Sequence, residues 1–90
     1  MNAQEINSII LGIFEAELAV YPKRVKRRIT FWYFMYLVRS HLGVEHSAVL
    51  REEFIAKLVA FNSLGLCEFN LETTRLVIHR KIFEEIINEC

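Results

Sequence analysis

The stretch YPKRVKRRITFWYFMYLVRSHL, residues 21–42, decides the fold. It opens on Tyr21-Pro22 and runs through a basic block, Lys23, Arg24, Lys26, Arg27 and Arg28. It then becomes apolar and aromatic from Ile29 to Val38, with five of the chain's eleven aromatic residues between Phe31 and Tyr36. Pro22 suits the first position of a helix, where its missing N–H would have had no partner. It also pushes Tyr21 toward extended backbone. One helix is therefore expected from Pro22 to about His41, with Gly43 as its C-terminal stop. Its body is apolar nearly all round, so it should be the central helix, contacted on several sides.

Upstream, a first helix is expected from about Ala3 to Val20. Asn2 can cap it, Glu5 follows three residues on, and Ile6, Ile9, Ile10, Ile13, Phe14 and Leu18 recur at helical period. Downstream, residues 43–47 form a turn and a third helix runs from about Ser47 to Ser63. Val49, Leu50, Phe54, Ile55, Leu58, Val59 and Phe61 supply its buried side, and Arg51, Glu52, Glu53, Lys57 and Asn62 its wet side; Gly65 stops it. A hairpin follows. Cys67, Phe69 and Leu71 share one face of its first strand, and Leu76 and Ile78 one face of its second. A last short helix, about Arg80 to Asn88, presents Ile82, Phe83, Ile86 and Ile87 as a stripe.

The expected fold class is mostly α with a β-hairpin, in the order helix-helix-helix-hairpin-helix. Ninety residues make one domain, 1–90. Of these, 53% are apolar and the mean hydropathy is +0.25. That is more apolar surface than so small a body readily buries, so a homodimer is expected. Ile9, Ile13, Phe31, Trp32 and Met35 are the candidate interface residues. Two cysteines, Cys67 and Cys90, make no disulfide framework, and no signal peptide is expected. A reducing, cytoplasmic location follows as the default. The apolar run 29–38 is about half the length of a membrane span.

The formal net charge is zero, but the charge is segregated. Residues 1–20 carry −3, residues 21–42 carry +6, residues 43–74 carry −3, and the remainder balances. A local affinity for polyanions is implied, not one of the whole domain.

The segment Leu37-Val38-Arg39-Ser40-His41-Leu42-Gly43-Val44 resembles the second helix and turn of a helix-turn-helix. Residues 54–66, FIAKLVAFNSLGL, resemble the end of a recognition helix leading into a wing, and residues 66–79 resemble that wing. The chain is in this respect similar to the winged helix-turn-helix superfamily over about residues 37–80. The resemblance implies a winged-helix-like fold that binds DNA through the third helix and the wing. Because that helix carries Glu45, Glu52 and Glu53, and the hairpin connection Glu72, phosphate contact is expected instead at the basic block.

Five cations at a helix start would oppose the helix dipole and repel one another. Three compensations are open: nucleic-acid phosphates, an acidic protein surface, or pairing within the chain. The expected nucleic-acid contacts are Lys23, Arg24, Lys26, Arg27, Arg28, Arg51 and Arg75. Ser47, Thr73 and Thr74 join Arg51 and Arg75 as weaker candidates for specificity. Aromatics at this density on a helix are ordinarily core or interface, with base stacking and a membrane-surface helix as the lesser readings. His41, His46, His79, Cys67 and Cys90 show no metal-ligand spacing, so no metal or cofactor is expected. The chain has no Asp and no nucleophile motif with a base and an orienting group, so no catalytic residue is assigned. The expected function is a small non-enzymatic nucleic-acid-binding module, a DNA-binding regulator or replication-associated domain. The alternative is a protein–protein interaction module, an adaptor or inhibitor using the acidic helix and the apolar surface.

Overall fold

The computed structural model describes residues 2–42 and 44–83, the side chains of 44–50 excepted. The elements run α1 (Ala3–Ala19), β1 (Lys26–Thr30), α2 (Phe31–Leu42), α3 (Val44–Ser63), β2 (Cys67–Asn70) and β3 (Arg75–His79). Residues 81–83 are again helical. The expected stop at Gly43, the side chains of Glu45, His46, Ser47, Val49 and Leu50, and the last helix beyond residue 83 (Ile86, Ile87 and Cys90 included) lie outside the described residues.

The architecture is mostly helical with a small antiparallel sheet, and it is winged-helix-like. The strand order is β1-β3-β2. β3 pairs antiparallel with both neighbours, placing Arg28 opposite Val77 opposite Glu68, and Thr30 opposite Arg75 opposite Asn70. Side chains directly opposite one another share a face. One face therefore carries Ile29, Leu76, Ile78, Cys67 and Phe69 toward the helices. The other carries Lys26, Arg28, Thr30, Arg75, Val77, His79, Glu68 and Asn70 outward.

The helices close over the inner face. Ile6, Ile10, Ile13, Phe14 and Leu18 of α1, Phe31, Phe34, Met35 and Val38 of α2, and Phe54, Leu58 and Phe61 of α3 form one core with the sheet. Phe34 stands edge-on to both Phe14 and Phe54, at 6.1 and 6.2 Å between centroids, which ties the three helices at one point.

Local chemistry sets the boundaries. Asn2 caps α1, its Oδ1 accepting the Glu5 N–H at 2.9 Å. α3 ends in a Schellman motif at Gly65, with φ +75°. The Leu66 N–H donates to the Phe61 carbonyl and the Gly65 N–H to that of Asn62, both at 3.0 Å, while Leu66 and Phe61 are buried together.

Three expectations are corrected. The helix expected from Pro22 begins only at Phe31; residues 26–30 are instead a strand paired with β3. The block alternates, Ile29 and Arg27 inward against Lys26, Arg28 and Thr30 outward, so consecutive cations project to opposite faces of the sheet. Thr30 ends the strand and caps the helix at once, its Oγ1 accepting the Tyr33 N–H at 3.0 Å. The block at residues 23–28 is not a helix start, so its opposition to a helix dipole does not arise. Second, α2 is not enclosed all round: Trp32, Tyr33 and Tyr36 are exposed. Third, α3 begins at Val44 rather than Ser47, and Val59 faces solvent, because the core stripe follows Phe54, Leu58 and Phe61.

Candidate nucleic-acid interface

The link between α1 and β1 positions the first cations. α1 ends at Ala19, leaving carbonyls with no helical partner. Arg80, just after β3, supplies the donors. Its guanidinium bonds the carbonyls of Leu18 (3.0 Å), Tyr21 (3.0 Å) and Arg24 (2.8 Å). Its own N–H donates to the Val25 carbonyl at 2.8 Å. A cation at a helix C-terminus also complements the dipole. Arg80 thus fixes the path of the loop that bears Lys23 and Arg24. The Tyr21 ring lies beneath two guanidinium groups of the basic block, Arg24 at 5.3 Å and Arg27 at 4.9 Å.

Two members of the block have carboxylate partners. Arg27 points inward, and its Nε is 3.5 Å from Oε1 of Glu17, whose side chain is only 12% exposed. This Nε is buried and not aligned to donate a hydrogen bond, so the contact is an ion pair only. The other oxygen of Glu17 accepts from the Tyr33 hydroxyl at 3.1 Å, a bond that, with burial, raises the tyrosine pKa. Arg27 therefore holds α1 to β1 and α2 and does not present itself to a ligand. Lys26 lies 3.9 Å from Glu68, with both side chains more than half exposed, a contact of little energetic weight. His79 bonds the same Glu68 at 2.8 Å, which holds that carboxyl below its usual pKa.

Lys23, Arg24, Arg28 and Arg75 are exposed, and among the described residues none has a carboxylate within 4.0 Å. Arg28, Thr30, Thr73, Thr74 and Arg75 line one cleft where β1 passes into α2. The hairpin turn is set by Asn70, whose Oδ1 accepts the Thr73 N–H at 3.2 Å, and by Thr74 at φ +54°. The Thr74 carbonyl accepts the Phe31 N–H at 2.7 Å, joining the turn to the start of α2. Arg51 stands apart on α3. Its guanidinium lies over Phe31 at 5.8 Å and over Trp32 at 5.4 Å.

Of the seven expected phosphate contacts, then, the structure gathers Arg28 and Arg75 in one cleft. It carries Lys23 and Arg24 on the loop at the other end of β1, leaves Lys26 beside Glu68, turns Arg27 inward, and sets Arg51 against the α2 aromatics. The expected dimer seam is corrected. Ile13, Phe31 and Met35 lie in the chain's own core and Ile9 is partly covered, so only Trp32, at 58% exposure, offers surface. Cys67 is buried, and burial pushes its thiol pKa up to about 12. The sequence reading missed Arg80 as the organiser of the loop. Only its place after the second hairpin strand hinted at it, since its partners lie 56 to 62 residues away.

No helix among the described residues is long and apolar enough to cross a membrane. Among the same residues no group of three or more His, Cys, Asp or Glu could hold a metal ion. Comparison with protein-family models, with curated proteins and with solved structures finds no match.

Proposed function

We propose that this chain is a small, non-enzymatic nucleic-acid-binding module of the winged helix-turn-helix kind, a DNA-binding regulator or a replication-associated domain. It meets the phosphate backbone with the outer face of β1 and β3 and the adjoining loop. The observation that carries this is the pairing of Arg28 and Arg75 in one cleft, with Lys23 and Arg24 on the loop that enters the other end of β1, all four exposed and without carboxylate partners among the described residues. Such a grouping repels itself and is relieved by a polyanion. Backbone contact of this sort supplies affinity and register rather than sequence choice. Thr73 and Thr74, beside Arg75, are the hydroxyls placed to add hydrogen bonds. The module is proposed without the homodimer seam that composition suggested, because three of its five residues are core.

The test is a direct binding titration with labelled oligonucleotides at low salt. Changing Lys23, Arg24, Arg28 and Arg75 together to Ala should weaken binding at least a hundredfold and leave the circular dichroism spectrum unchanged. Unaltered affinity in that variant would remove the proposal.

A second reading, a protein-interaction module, draws on the outer side of α3. There Glu52, Glu53 and Val59 are exposed together with Ala56 and Ala60, and Leu64 is exposed just past the helix end. A mixed acidic and apolar helix face of this kind suits a basic protein groove. A chain that ignores nucleic acid at low salt would favour this reading over the first.

A further inference from the structure

The exposed aromatics of α2 follow directly in the chain on Thr30, a residue of the basic cleft. Trp32 (58% exposed), Tyr33 (40%) and Tyr36 (62%) occupy the outer side of the helix, while Phe31, Phe34, Met35 and Val38 fill the core side. Trp32 and Tyr36 stand one helical turn apart, about 6 Å along the axis. Tyr33 and Tyr36 are stacked, 6.5 Å between centroids and 17° between planes. The helix that bears this strip begins at the residue after Thr30. Thr30 lines the cleft and caps α2, and the Thr74 carbonyl holds the first N–H of the helix. Arg51 lies over the Trp32 ring, and among the described residues no carboxylate is within 4.0 Å of it.

Resting on the nucleic-acid reading, we infer that this strip stacks unpaired bases, so that the preferred ligand is single-stranded nucleic acid. Its backbone lies across Arg28 and Arg75 and its bases turn onto Trp32 and Tyr36. Three features select this occupant. Trp32 follows Thr30, the last β1 residue of the cleft, by two positions, so a strand with its phosphates in the cleft meets the first aromatic ring at the start of α2. Aromatic faces beside a positive groove are the recurrent means of holding single strands without sequence choice. A second copy of the chain fits less well: a helix of 12 residues is about 18 Å long, and its one aromatic strip falls well short of the roughly 800 Å² per partner of a stable interface.

Trp32 is the only tryptophan, so its emission reports on the strip alone. The full chain is titrated with oligothymidylate, with a duplex of equal length, and with inorganic polyphosphate, which has charge but no bases. Oligothymidylate is expected to quench Trp32, and polyphosphate to bind without quenching. Trp32→Leu and Tyr36→Leu, both at exposed positions, should each weaken oligothymidylate binding about tenfold by anisotropy and leave polyphosphate binding unchanged. Oligothymidylate bound with unaltered emission, and equally well by both variants, would overturn the inference while leaving the phosphate reading in place. A chain that binds neither polyanion removes both. A shift in Trp32 emission with protein concentration alone would place a second copy on the strip and overturn the inference.

Discussion

Thr74 sits at φ +54°, a left-handed conformation that a β-branched residue rarely adopts. A residue with a Cβ gives up about 1–2 kcal/mol there, of which glycine's extra chain entropy returns about 0.5–1 kcal/mol. Thr74→Gly is therefore expected to stabilise the fold by about 0.5–1 kcal/mol, seen as a higher urea midpoint at unchanged slope. A lower midpoint would mean that the side chain holds the turn. Strain retained at the edge of a cleft is the kind of feature that accompanies a binding site. Glu68 gives a pH signature at the same scale. The hydrogen bond from His79 holds its carboxyl below the ordinary value of 4.5, so its ionised form is favoured by folding. That contribution is present above pH 4.5 and is lost as the pH falls through the lowered folded value. The stability difference between the wild type and Glu68→Gln should thus close progressively as the pH falls below 4.5. A difference that persists unchanged to pH 3 would show that the carboxylate charge is irrelevant.

At the scale of elements, α1, α3 and the hairpin were legible because their cues are local: an Asn cap, a glycine stop, a stripe at one period. β1 was not. Lys26, Arg27 and Arg28 have little intrinsic strand preference, and Ile29 is the strand's one core residue, so its pairing with β3 some fifty residues away decides the outcome. Thr30 was the overlooked signal. A threonine just before Phe31, Phe34, Met35 and Val38 marks a helix start, and the same spacing separates phenylalanines that go inside from tyrosines and a tryptophan that stay out. Of the candidate site, the exposed cations were legible as a group, whereas their division into paired and unpaired members depended on Glu17 and Glu68 from other elements. Arg80 was invisible for the same reason. It bonds three carbonyls that end α1 and shape the following loop. Arg80→Met keeps much of the apolar stem and removes those donors, and should destabilise the protein by about 2 kcal/mol. It should also make the bonds after Lys23, Arg24 and Lys26 more susceptible to trypsin under native conditions. Unchanged stability and cleavage would reduce Arg80 to a surface residue.

Over the whole molecule, a net charge of zero conceals a division of labour. Glu17 neutralises the cation that faces inward, Glu68 tempers one edge, and the exposed side of α3 keeps Glu52 and Glu53. The surface that the winged-helix resemblance assigns to reading DNA is thus partly acidic, and the β1–β3 cleft brings Arg28 and Arg75 together with no carboxylate within 4.0 Å among the described residues. Neutral chains with one such face bind polyanions through a few defined contacts rather than through a general field. The most direct measurement is the salt dependence of oligothymidylate binding to the intact chain. Four phosphate contacts, from Lys23, Arg24, Arg28 and Arg75, predict that log K falls against log salt with a slope of about −3 for a single strand. In the variant with those four residues changed to Ala, residual binding should have a slope near zero. A wild-type slope near zero, or a slope the variant retains, would contradict a phosphate-binding face at β1 and β3.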